Sequence, residues 1–317
     1  MLVIFSKTTR GTTCLVCRTM SINNTSWRHH YLPQFYLEGF TNDKGLFKIY
    51  DVEQDRFVKD GKWFSTESYF FEKDGNTLTV FDEKDDFLED KYYRDVDRKT
   101  AELFNKIKSS KTGSNFGLTD GDMPLFQYFI GTLFWRLPQN YINLNYILQN
   151  VDLTKIGFFI KHENGNIVND TESGKEIINS PNMFKAMKFL LPTLLFPQVV
   201  DCRTPLHVQQ TAIGKALPAL CSDNPIIFQD SILPEIYKDD FILPLTDKLI
   251  FIRGNKLNPN CLTSVRVDID LILLKQAKKY VSCTDELYIR LLNKYYEHNY
   301  SSIEEVKAKV FSRVLEI

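Results

Sequence analysis

Residues Thr77 to Ile107 read TLTVFDEKDDFLEDKYYRDVDRKTAELFNKI, and the hydrophobic period changes part-way along them. A turn at Asp74-Gly75-Asn76 leads into Thr77-Leu78-Thr79-Val80-Phe81, which has the composition and alternation of a half-buried strand. From Phe87 onward Leu88, Tyr92, Val96, Leu103, Phe104 and Ile107 recur at helical spacing through a strongly charged segment, predicting a long amphipathic helix. A period of two giving way to one near 3.6 without a linker predicts strands and helices segregated along one chain.

The reading extends in both directions. On the N-terminal side, Leu46–Asp51, a turn at Glu53-Gln54-Asp55 and Arg56–Lys59 predict a hairpin. With Trp63-Phe64, Ser68–Phe71 and the strand ending at Phe81 it would form an antiparallel sheet of about three to five strands over 46–81. On the C-terminal side, Thr119–Pro124 supplies caps and an early proline for a helix ending at Leu137-Pro138. Gln139–Val151 predicts another helix, Lys161–Asn166 an exposed turn, and Pro181–Leu191 a helix halted by Pro192. Beyond Val200, short apolar runs at Gln209–Ala216, Leu217–Cys221, Pro225–Phe228, Phe241–Leu245 and Lys248–Arg253 predict a second block of strands. Helices are expected at Val267–Tyr280, Thr284–His298 and Ser302–Val314. The fold class is therefore α+β, with small antiparallel sheets packed with a largely helical middle and a helical C-terminus. No Pro/Gly/Ser linker interrupts the pattern, so residues 27–317 are expected as one integrated domain, with sub-blocks at 27–115, 116–200 and 201–317. Met20 followed by a polar run has the look of an alternative start, and residues 1–26 are expected to be a disordered leader.

The composition narrows the function classes. The 317 residues are 43% hydrophobic and 25% charged, a globular balance, and the 13% aromatic share predicts a core of large rings whose tyrosine hydroxyls need partners. Lys+Arg 39 against Asp+Glu 40 leaves no global basic surface for nucleic acid, and nothing in the sequence names another partner. Leu2–Phe5 is too short for a signal peptide or a membrane span, and the six irregularly spaced cysteines argue against a disulfide framework, which together point to the cytoplasm. Cys14 and Cys17 form a CxxC pair, without the second pair or histidines that a zinc site needs. Phosphate loops, dinucleotide fingerprints, HExxH and GxSxG are absent from the sequence.

Candidate chemistry falls at four places. Arg28–Phe40, RHHYLPQFYLEGF, carries His29 and His30; on an extended backbone these point to opposite faces, so one of them faces a site and the other supports it. Pro33 favours extended geometry before it and leaves Gln34 free to begin a short helix. Cys221-Ser222-Asp223-Asn224-Pro225 interrupts two apolar runs; Asp223 is either the acceptor of an Asx-type turn or a carboxylate delivered at a strand end as base or metal ligand. Arg136 closes an apolar helix, where it could satisfy terminal carbonyls, pair with Asp223 or grip an anion. Glu89 and Asp97 come within about 80° of each other on an ideal helix, although the helix is crowded with other acids.

These residues carry a resemblance. With its opening HHYLPQFYLEGF (Leu32 standing where valine is usual), and with LFKIYD, FWRLPQ, SDNPIIF and FILPLTDKLIF downstream, the chain from about Trp27 to Tyr280 resembles the family catalogued as domain of unknown function 4238, found mainly in bacteria. Members often carry two glutamates on the first long helix, where this chain has Glu89 and Asp97. The family lacks an assigned activity, so the resemblance implies membership and leaves function open. Because Arg136 and the SDNP segment match the family pattern, a shared pocket holding His29 or His30, Arg136 and Asp223 is expected. Two readings follow. One is a metal-dependent hydrolase or nuclease acting on a phosphodiester or nucleotide. In it His30 and Asp223 serve as ligand or base, Arg136 holds the phosphate, His29, Gln34 and Asn224 bind or orient substrate, and a divalent metal is the cofactor required. The other is a non-catalytic binding or interaction module with a structural aromatic-histidine motif.

Overall fold

A computed structural model describes residues 3–8, 11–14, 27–80, 83–110, 118–162, 164–195, 206–210, 217–229, 234–254 and 265–315. Its strands are β1 (Val3–Thr8), β2 (Gly11–Cys14), β3 (Arg28–His30), β4 (Phe47–Asp51), β5 (Arg56–Phe57), β6 (Trp63–Phe64), β7 (Phe71–Lys73), β8 (Leu78–Val80), β9 (Glu83–Asp85), β10 (Phe158–Lys161), β11 (Leu206–Gln210), β12 (Leu220–Ser222), β13 (Ile227–Phe228), β14 (Phe241–Pro244), β15 (Leu249–Arg253) and β16 (Tyr280–Cys283). The α-helices are α1 (Gln34–Leu37), α2 (Arg94–Ser109), α3 (Met123–Arg136), α4 (Tyr141–Asn150), α5 (Glu172–Ile178), α6 (Pro181–Leu195), α7 (Arg266–Gln276), α8 (Glu286–Asn299) and α9 (Ile303–Val314). The fold is α+β with a helical C-terminus. Among the described residues no helix is long and apolar enough to cross a membrane.

The chain forms two compact units, each assembled from three separate segments. The first takes residues 1–31, 71–98 and 127–202. In it β10, β1 and β2 form one antiparallel sheet, while β3 pairs with β7 and β8 with β9. Its interior is largely helical: Phe129, Leu133 and Phe134 of α3, Leu144 of α4 and Met183, Met187, Leu190 and Leu191 of α6 are buried. Val3–Thr8 and Gly11–Cys14, in the stretch read from sequence as a leader, supply two of these strands; Cys17 lies outside the described residues.

The second unit takes residues 32–70, 99–126 and 203–317. One antiparallel sheet has the order β11-β15-β14-β13, the other β12-β16-β4-β5 with β6 also on β4. All five residues of β15 are buried, and Ile250, Ile252, Ile269, Ile272, Val281, Leu292 and Val310 share a core with α7, α8 and α9. Asp285 caps α8 through the amide of Leu287 and Ser302 caps α9 through that of Glu305. Tyr36 shows how a buried phenol is satisfied: its hydroxyl donates to the carbonyl of Pro244 at 2.7 Å.

Three expectations are corrected. Residues 46–81 do not form one sheet: β4, β5 and β6 join β12 and β16, whereas β7 pairs with β3 and β8 with β9. The alternation shows strands but not their partners. The helix expected over Val267–Tyr280 ends at Gln276, and Tyr280–Cys283 becomes a strand pairing on both sides, with β12 and β4. Pro192 does not halt α6, which continues to Leu195; the loss of one amide donor is offset by burial of Leu190, Leu191 and Leu194 around it. Of the expected turn over Lys161–Asn166, Glu163 lies outside the described residues; His162 and Gly165 are exposed and joined by a hydrogen bond from the Gly165 amide to the His162 carbonyl, with Gly165 at φ 87°, a left-handed conformation that favours glycine.

Candidate functional site

The opening motif is divided between the units, Arg28–Tyr31 belonging to the first and Leu32–Phe40 to the second. His29 and His30 lie on β3 as expected of an extended segment, His29 buried and His30 half-buried. Nδ1 of His29 accepts the amide of Asn76 at 2.9 Å, which places the ring proton on Nε2, 3.8 Å from Oδ1 of Asp86. The side chain of Asn76 donates to Glu89 at 2.8 Å, so one chain of polar groups runs from Asp86 through His29 and Asn76 to Glu89.

Glu89 is delivered by an unusual piece of backbone. Residues Leu88–Tyr93 form a wide π-helical turn directly before α2, a geometry found often at functional sites. The turn presents Glu89 and Tyr93, and α2 adds Asp97. Arg136, only 2% exposed at the end of α3, donates to Asp97 at 2.8 Å and to the carbonyl of His30 at 2.6 Å, and its guanidinium carbon lies 4.3 Å from the Tyr93 ring centroid. Burial pushes the Asp97 carboxyl up, with Arg136 opposing the shift, and burial likewise raises the Tyr93 phenol. Glu89 adds its charge to Arg136, Asp97 and Tyr93 alike, so Glu89 and Asp97 do work on one guanidinium.

A third part of the cluster was not singled out on the sequence. Lys188 of α6, also 2% exposed, donates to the carbonyl of Gly75 and the hydroxyl of Tyr141, both at 3.0 Å, with Oε2 of Glu72 3.8 Å away. Tyr141 in turn donates to Glu72. Burial brings the Lys188 amine down to about 8, against the pull of Glu72. The signal was available: Lys188 is the charge inside the apolar run Met187-Lys188-Phe189-Leu190-Leu191. Asn76, Glu72 and Tyr141 gave no comparable signal, because each is an ordinary polar residue in its local sequence.

Asp223, Asn224 and Gln34 belong to the second unit. Oδ1 of Asp223 accepts the amide of Lys278 at 2.9 Å, and Oδ2 accepts those of Lys279 and Tyr280 at 2.7 and 2.9 Å. Its carboxyl is raised by burial, with these amides pulling the other way. This is neither a local Asx turn nor an open carboxylate: Asp223 ties the SDNP break to the segment entering β16, more than fifty residues on in the sequence. Asn224 is tied to Gln276 in both directions, by its side-chain amide and through its carbonyl. Gln34 is exposed at the start of α1. Among the described residues no group of three or more His, Cys, Asp or Glu side chains is placed to hold a metal ion.

A family model described as Protein of unknown function (DUF4238) matches residues 28–187. The chain belongs to that family. No curated protein and no solved structure matches it. The DUF4238 match takes in His29, Glu72, Asn76, Glu89, Asp97, Arg136 and Tyr141, and it ends one residue before Lys188, well short of the SDNP segment.

Proposed function

We propose that this DUF4238 chain is a binding or interaction module in which the aromatic-histidine motif and the SDNP break are structural. What supports this reading is that polar groups of Arg136, His29 and Asp223, three of the candidate site residues, are engaged by other groups of the protein. Arg136 is committed to Asp97 and the His30 carbonyl, His29 to the Asn76 amide, and both Asp223 oxygens to main-chain donors. A guanidinium so buried and engaged is poorly disposed to receive a phosphate. The test is thermal unfolding of wild type and His30→Ala with Mg²⁺, Mn²⁺ or Zn²⁺, alongside hydrolysis of bis(p-nitrophenyl) phosphate. The module reading expects no metal-dependent rise in Tm and no turnover; a rise in wild type that His30→Ala abolishes would sink it.

The metal-dependent hydrolase remains as a second reading because of one observation. The π-helical turn sets Glu89 beside half-buried Asp97, in a cluster that also contains a lysine brought down to about 8. Shifted groups gathered in this way are also what acid–base chemistry uses. Metal-dependent phosphodiester turnover that falls in Glu89→Gln while Tm is kept would favour it.

A further inference from the structure

Within the first unit, α4 and α6 leave a surface cavity of about 500 Å³ whose lining carries no charged side chain. That volume is in the range of small-molecule sites. Asn145 and Gln149 from α4 and Asn179 before α6 bring three carboxamides to it, and these side chains make no hydrogen bond to another described residue. Leu148 and Phe184 supply apolar surface, and the Phe184 ring is braced edge-on by Tyr141 at 5.1 Å between centroids. Tyr141, Asn145 and Gln149 recur every four residues on α4, as do Phe184 and Lys188 on α6, so one helix-to-helix seam joins this groove to the Lys188 cluster.

We infer that this groove is a binding site for an uncharged nucleobase edge. The inference rests on the binding-module reading and deepens it. A neutral lining offers no ion pair to a phosphate or a carboxylate. A carboxamide presents a donor and an acceptor side by side, and closes two hydrogen bonds at once with a planar ring that does the same. A single trans peptide group holds its N–H and C=O on opposite sides, so it does not match one carboxamide in this way. A fixed aromatic wall adds a surface on which a base can stack. The base could come from a free nucleoside or from a nucleic-acid strand.

Calorimetric titration of the full chain with adenosine, guanosine, cytidine and uridine tests this. At least one nucleoside should bind saturably, and Asn145→Ala or Gln149→Ala should each weaken it about tenfold while leaving Tm unchanged, both positions being exposed. Tighter, salt-sensitive binding of a single-stranded oligonucleotide with the same dependence on the variants would assign the base to a strand, and equal binding to a free nucleoside. Absence of binding by all four nucleosides, affinity unaltered in both variants, or glucose binding as well as they do would each overturn the inference. Consumption of the bound nucleoside would instead overturn the non-catalytic reading and leave the groove in place, so the two failures are distinguishable.

Discussion

Asp223 shows how a side chain that looks available for chemistry can be wholly committed to structure. Three amide groups converge on its carboxylate, and removing the acceptor takes the protein partner from all three. Asp223→Ala is expected to cost about 3 kcal/mol in urea unfolding, and Asp223→Asn about half of that, because the amide keeps one acceptor oxygen. Equal losses in the two would mean that the carboxylate matters for its charge and not for its acceptors. Arg136 is committed in a different way. Truncating it to methionine strands Asp97 beside the buried end of α3 and should cost about 3 to 5 kcal/mol. Removing both charges with Arg136→Met and Asp97→Leu should recover much of the loss, as a double-mutant cycle would measure. The arginine was legible because a cation is conspicuous at the end of MPLFQYFIGTLFW. Its partner was not, because Asp97 lies 39 positions away on a helix carrying several other acids.

At the scale of elements, the parts that could be read from sequence were those whose signal is local. The α8 and α9 starts carry their caps in the chain itself, and Ser302→Ala should cost about 1 kcal/mol by removing the acceptor for the Glu305 amide. Retention of full stability in that variant would mean that packing of Val306 and Val310 alone holds α9. The hairpin of β4 and β5, α3, α4 and the strand pair of β14 and β15 were legible for the same reason: alternation, period and turn residues state the element type. The failures are tertiary. Tyr280–Cys283 is too short for a period to separate from the helix before it, and it becomes a strand because β12 and β4 offer edges on both sides. The π-helical turn at Leu88–Tyr93 repeats the apolar spacing of an ordinary helix closely enough that periodicity does not distinguish the two. Interleaved units leave no linker, so composition carries no mark of where one segment gives way to the next.

For the molecule as a whole, the pH dependence of stability offers a readout of the buried cluster that needs no ligand. Burial holds the Lys188 amine at about 8 in the folded state against an ordinary 10.5, so between these values the unfolded chain binds more protons than the folded one. Folding is then opposed by the full cost of burying the ammonium below pH 8, and the cost is relieved as pH rises. Over the window from pH 8 to about pH 9.5 the relief amounts to roughly 1.5 kcal/mol. Buried Cys221 and Cys283, raised from an ordinary 9.0, act with the opposite sign inside the same window, and the buried phenols of Tyr93 and Tyr141 join them toward pH 10: the unfolded thiols and phenols ionise first and stability falls, so the Lys188 contribution is read as a difference between proteins. Lys188→Met keeps much of the packing and removes only the lysine titration, so the unfolding free energy of wild type minus that of the variant, measured in urea, should grow by roughly 1.5 kcal/mol across this window. A difference that stays constant with pH would remove Lys188 from the charge balance that links Glu72, Glu89 and Arg136.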